Sequence, residues 1–182
     1  MFCNLKKKQI ILVRHAKAIE RNEWQGEDFD RPLSSIGENS NKMVANYLRL
    51  IGVRPNRIVA SPSARTKSTA IDLAKKFSLD TVEYVDDLYN ENILPTRNAM
   101  NIHMNIVKKT KKDCDVLVIV GHNDDLSDFA AFLSGESVPS MKKGSVIILS
   151  LPECSDWKDV KPGTLKFIYY LTPQFLQLED LA

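Results

Sequence analysis

Apolar residues along this chain come in short runs rich in Val and Ile, at 10–13, 58–60, 116–120, 146–151 and 165–171, with a weaker run at 82–85. Runs of this length without polar interruption suit strands covered on both faces. Between the first two, Ile36, Met43, Val44, Tyr47, Leu48 and Ile51 recur at helical spacing, with Ser34 or Ser35 ahead of them and Gly52 behind. That pattern predicts a capped helix. Ser61-Pro62 followed by Ala64, Ala70, Ile71, Ala74 and Phe77 predicts a second helix, with the serine as cap and the proline in the first turn. A third follows Pro95-Thr96 and carries Ala99, Ile102, His103, Ile106 and Thr110 on one side; a short fourth opens at Asp124 or Asp125 and stops at Gly135. The last two runs read as an adjacent strand pair that can run antiparallel. Strands alternating with helices predict a three-layer α/β/α fold, a mostly parallel central sheet with helices on both faces, formed by one domain over 1–182. In such sheets ligands sit beyond the carboxyl ends of the strands.

Composition narrows the picture. Of 182 residues, 43% are hydrophobic and 26% charged, enough for a core and a solvated surface but not the profile of a disordered chain. Apolar runs stop at about five residues, as at 116–120, far short of the ~20 that cross a bilayer, so an integral membrane protein is not expected. The start is basic, but the apolar stretch at 10–13 is too short for a signal-peptide core, and the expected location is the cytoplasm. Net charge is +2, with lysines clustered only at 6–8 and 108–112, which gives no broad footprint for nucleic acid. Cys3, Cys114 and Cys154 are odd in number and widely spaced, and are read as free thiols.

Candidate chemistry lies just past the strands. There are three histidines, and two directly end strand runs: residues 10–13 lead into Arg14-His15, and 116–120 into Gly121-His122. The run at 58–60 leads into Ser61-Pro62-Ser63-Ala64-Arg65, which puts Arg65 in the first turn of a helix. If these strands are parallel neighbours, two imidazoles and two guanidinium groups converge on one rim. Guanidinium forks and the free N–H groups of a helix start suit a dianionic phosphoryl group. A neutral imidazole is a competent nucleophile toward phosphorus, and cationic neighbours keep it neutral. Taken singly, each residue also has a plainer reading, as a hydrogen-bonding loop histidine or a surface arginine.

The joint arrangement resembles a known family. Ile11-Leu12-Val13-Arg14-His15-Ala16-Lys17-Ala18, Asp30-Arg31-Pro32-Leu33 with Gly37, Val59-Ala60-Ser61-Pro62-Ser63-Ala64-Arg65-Thr66 with Thr69-Ala70, and Val120-Gly121-His122-Asn123 are similar to the histidine phosphatase (phosphoglycerate-mutase-like) superfamily, in its SixA-type phosphohistidine phosphatase branch. The resemblance implies that His15 is the nucleophile that becomes phosphorylated and that Arg14, Arg65 and His122 clasp the phosphoryl oxygens. Asn123, Lys17 and Ser61 are further candidate contacts to the substrate, and Lys17, Arg21 and Arg31 are candidates for the rim of the opening. Ala16 stands where most of the superfamily has glycine, as is usual in this branch. Asp124-Asp125 replaces the Pro-Gly that often follows Gly-His-Asn and adds negative charge near the mouth.

Larger relatives carry an inserted helical region for which this chain has no spare length. Glu91, after the run at 82–85, is the candidate proton donor, with a solvated loop glutamate as its plainer reading. His103 is read as a packed helix residue. A metal is not expected, because a cation would compete with two arginines for one volume. The implied activity is a metal-independent phosphatase with a covalent phosphohistidine intermediate and no cofactor. The implied partner is a phosphorylated protein, a phosphotransfer domain or kinase, with a small phosphate ester as the competing substrate. A noncatalytic phosphate-binding adaptor of the same fold and a mutase are the other readings; no nucleic acid and no membrane are expected.

Overall fold

The computed structural model describes residues 7–89, 97–153 and 155–179. The strands β1 (Gln9–Arg14), β2 (Arg57–Ala60), β3 (Glu83–Tyr84), β4 (Val116–Gly121), β5 (Val146–Ser150) and β6 (Lys166–Leu171) form one sheet in the order β3-β2-β4-β1-β5-β6. The neighbours from β3 to β1 are parallel; β5 is antiparallel to both β1 and β6. Five of the six strands therefore share one direction, and the sheet is mixed with a parallel majority. The last pair is antiparallel, so its long connection, residues 151–165, needs no crossover helix.

Alternate residues of the central strands feed opposite faces, as a period of two requires. Ile10, Leu12, Leu117, Ile119, Ile147 and Leu149 pack with Ile106 and Val107 of α3 (Arg97–Lys108) and with Leu126, Phe129 and Leu133 of α4 (Asp125–Ser134). Ile11, Val13, Ile58, Val118 and Ile148 pack on the other face with Val44 and Leu48 of α1 (Ser35–Leu50), Leu73 of α2 (Ala64–Phe77) and Leu176 of α5 (Pro173–Glu179). Both faces of β1, β2 and β4 are covered, which is why 10–13, 58–60 and 116–120 read as unbroken apolar runs. Among the described residues no helix is long and apolar enough to cross a membrane. Cys114 is a free, buried thiol; Cys3 and Cys154 lie outside the described residues.

Two local expectations need correction. The cap of α2 is Ser63, not Ser61. The Ser61 amide still donates to the Val120 carbonyl at 3.0 Å, so the strand ladder runs one residue past β2 and holds Ser61 extended, a conformation that Pro62 also favours. The stripe assigned to α1 and α2 was also too wide: Ile36, Ile51 and Ile71 are exposed. In their place the α1–α2 contact buries Asn41, whose Nδ2 donates to the Thr69 carbonyl and to Asp72.

The long connection from β1 to α1 is tied at its base. Ser34 caps α1 by accepting from the Gly37 amide, and donates through both its amide and its hydroxyl to the Lys17 carbonyl. Ala18 and Leu33 form a bridge just above. Gly37 is required here, since a Cβ on it would sit 1.9 Å from the Lys17 oxygen. What rises from this pinch is a loop whose short helical turn Asp28–Asp30 leans over the start of α2, where the Asp28 carbonyl accepts from Arg65.

Candidate active site

The site grows from three adjacent strand ends. Arg14 is paired with Gly121 across β1 and β4, and Ala60 with Val120 across β2 and β4. His15 and His122, each one step further, are therefore side by side, with ring centres 5.2 Å apart, and Ser61 flanks His122 from the other strand.

The hydrogen bonds of His15 assign its tautomer. Its Nδ1 lies 2.7 Å from the Ala16 carbonyl, which can only accept. Nδ1 is thus the N–H, and Nε2 keeps the basic lone pair. His15 is 7% exposed, and its pKa is lowered to about 3, first by burial and then by the Arg65, Arg14 and Lys143 cations, against the opposing pull of the Ala16 bond. His122 is likewise lowered to about 3, by burial first and then by His15, Arg65 and Arg14, with Asp28 opposing. Its Nε2 is 3.0 Å from the Ser61 hydroxyl. Both imidazoles are neutral at pH 7.

The two arginines are held in a common way. Arg14 donates through Nη1 to the Met141 carbonyl in the loop before β5. Arg65 donates through Nη1 to the Asp28 carbonyl at 2.6 Å, and its Nη2 meets Asp28 Oδ2 at 2.8 Å. In both, Nε is buried and has no hydrogen-bond partner among the described residues. Buried guanidinium N–H groups are costly when unpaired. Two of them beside two neutral imidazoles are donors of the kind that a small oxyanion can satisfy. Tyr89 closes one side, its ring edge-on to His122 at 5.5 Å and under the Arg65 guanidinium at 5.7 Å.

The structure thus brings together His15, His122, Arg14, Arg65 and Ser61. Other candidates are engaged elsewhere. Lys17 pairs with Glu20 at 3.3 Å, and Arg21 donates to the Trp24 carbonyl. Arg31 turns inward to Asp28 Oδ1 and the Ile19 carbonyl instead of rimming the opening. Asn123 spends its amide on Asp124 and Ser140 and accepts from Ser127, so it braces the start of α4. Asp124 is exposed and acts at a distance on Arg14. Glu91 lies outside the described residues. His103 is buried, with Nδ1 donating to the Ala99 carbonyl and its ring against Phe129. Three neighbours were not anticipated: Asp28, Tyr89 and Lys143. Only Asp28 had a local signal, its spacing of three from Arg31 on a short turn, which permits the ion pair found at 2.8 Å.

This geometry can be set beside known proteins. Residues 10–92 match the family model of the histidine phosphatase superfamily (branch 1). The resemblance to that superfamily holds. A structure of the protein histidine phosphatase SixA complexed with tungstate superposes with a TM-score of 0.74 at 19% identity, over 92% of this chain and 99% of that one. The putative phosphohistidine phosphatase SixA from Agrobacterium tumefaciens gives 0.71 at 22% identity, over 91% and 99%. A mycobacterial glucosyl-3-phosphoglycerate phosphatase with inorganic phosphate gives 0.66 at 16%, over 92% and 99%. By sequence, an uncharacterized chloroplastic protein of Arabidopsis thaliana is 28% identical over 72% of this chain, and the match spans 61% of that protein's length. The histidine phosphatase signature therefore sits, in this chain, on the SixA-type three-layer fold.

Proposed function

We propose that the protein is a metal-independent phosphatase that works through a phosphohistidine on His15, with phosphohistidine on a protein as its leading substrate. The observation that carries the reading is the pair of buried, unpartnered Nε–H groups of Arg14 and Arg65 beside the neutral His15–His122 couple. A phosphoryl group seated there accepts from both Nε–H groups and from His122. The Nε2 lone pair of His15 attacks phosphorus in line as the bond to the leaving nitrogen or oxygen breaks, and the arginines stabilise the charge on the equatorial oxygens. Water then attacks phosphorus, the P–Nε2 bond breaks, and inorganic phosphate leaves. A proton must reach the leaving group in the first step. That demand is mildest for an imidazole, since phosphoramidates expel nitrogen more readily than esters expel an alkoxide.

A protein substrate is favoured by the short link between β3 and α3. Residues 85–96 are too few for the inserted helical region of larger relatives, and without such a region a side chain presented by a partner surface can enter the site. Incubation with phosphorus-labelled phosphohistidine protein is expected to leave label on the wild type and none on His15→Ala; label that persists in the variant removes His15 as nucleophile. Turnover is expected to survive EDTA. A panel of phosphohistidine protein, sugar phosphates and nucleotides tests the substrate class, and preference for a small ester would replace the protein substrate.

A further inference from the structure

The guanidinium of Arg65 has three hydrogen-bonding edges, and Asp28 occupies one of them. Its backbone oxygen takes Nη1 and its carboxylate Oδ2 takes Nη2, so residue 28 grips the far end of the fork. This leaves the side edge, Nε with the second Nη2 hydrogen, as the pair of parallel donors available to an anion, and Nε is buried without a partner among the described residues. Asp28 is itself held. Oδ1 accepts from Arg31 Nε at 2.8 Å, Arg31 is tied to the Ile19 carbonyl, and Oδ2 also accepts from the Tyr89 hydroxyl at 3.3 Å. The loop that carries Asp28 is anchored at its base through Ser34 and Lys17.

We infer that Asp28 is a positioning residue for oxyanion binding, which locks Arg65 end-on so that its Nε/Nη2 edge faces the phosphoryl site. This rests on the phosphatase reading. Without the lock, a long side chain samples rotamers in which the side edge turns away, and its two parallel bonds to the anion are lost. Asp28 makes no hydrogen bond to either imidazole among the described residues; apart from the pull of its charge on His122, its influence passes through Arg65.

The test is a double-substitution cycle read by tungstate and inorganic phosphate binding in calorimetry, so that turnover is not needed. Asp28→Asn keeps the size but turns one carboxylate oxygen into a donor that faces an arginine. It is expected to weaken both anions about tenfold in the wild-type background and less than about twofold in an Arg65→Lys background, where no side edge exists to be aimed. Arg31→Gln, which loosens Asp28 without touching Arg65, is expected to weaken binding about threefold with the same dependence on Arg65. Asp30→Asn, an exposed carboxylate two residues away, serves as the control and should leave binding unchanged. Equal anion affinity in wild type and Asp28→Asn overturns the assignment, as does a loss of the same size in both backgrounds, which would mark a general structural role. Wild-type protein that binds neither anion instead removes the phosphatase reading on which the assignment stands.

Discussion

His15 owes its chemistry to a carbonyl. The bond from Nδ1 to Ala16 selects the tautomer with a free Nε2, and burial with three nearby cations keeps that nitrogen unprotonated. The sign of the pH dependence follows. Because the folded pKa is lowered to about 3, the Nε2 lone pair on which the proposed attack depends is lost only as pH falls through that value. Once the substrate's own phosphate ionisation near pH 6 is divided out, the profile of kcat/KM is expected to stay flat well below pH 6, and an acid limb near 6.5 would contradict the assignment. Ser61 acts on the other ring. Ser61→Ala removes the hydroxyl 3.0 Å from His122 Nε2 and is expected to cut turnover about tenfold, with the melting temperature nearly unchanged. At this scale the histidines are legible because a residue one step past a strand is placed by the strand itself, and Arg65 because the short turn after β2 leaves it in the first turn of α2. Asp28 was not, because its role depends on a loop folding back across 37 positions onto α2.

Elements place these residues through their ends. The site exists because β1, β2 and β4 stop at the same level, and because the ladder from Val120 to Ser61 delays α2 until Ser63. The predicted cap missed this, since Ser-Pro is a fair helix start locally and only the neighbouring strand shows that Ser61 is still paired. The turn at Gly37 is equally strict. Gly37→Ala would push a methyl into the Lys17 carbonyl and unseat the base of the loop that carries Asp28. Urea unfolding is expected to show a loss on the order of 2–4 kcal/mol, and tungstate binding should weaken with it. An alanine tolerated here without change would mean that the close approach is not maintained in solution.

The whole molecule holds its three imidazoles uncharged, His15 and His103 buried and His122 half-buried. His15, His122 and His103 each have a folded pKa below the ordinary value near 6.5, in every case with burial as the first cause. As pH falls below about 6.5, the unfolded chain takes up protons that the folded one refuses, so stability declines until the folded imidazoles also titrate. The slope is at most about 1.4 kcal/mol per pH unit for each histidine. Denaturant midpoints at pH 7, 6 and 5 are expected to fall in step. His103→Leu, away from the site, should flatten that decline while leaving phosphatase turnover intact; an unchanged slope would remove His103 from the account.

By itself the chain determined the layered fold, because the apolar periods that make doubly covered strands and one-sided helices are local and repeat along it. It also determined which side chains stand just past the strands, since a strand's last residue dictates where the next one emerges. Tertiary structure alone decided strand order, the antiparallel turn of β5, the true start of α2 and the partners of each guanidinium. Those depend on hydrogen bonds between residues distant in sequence, such as Arg65 with Asp28 and Arg14 with Met141, which no local pattern records.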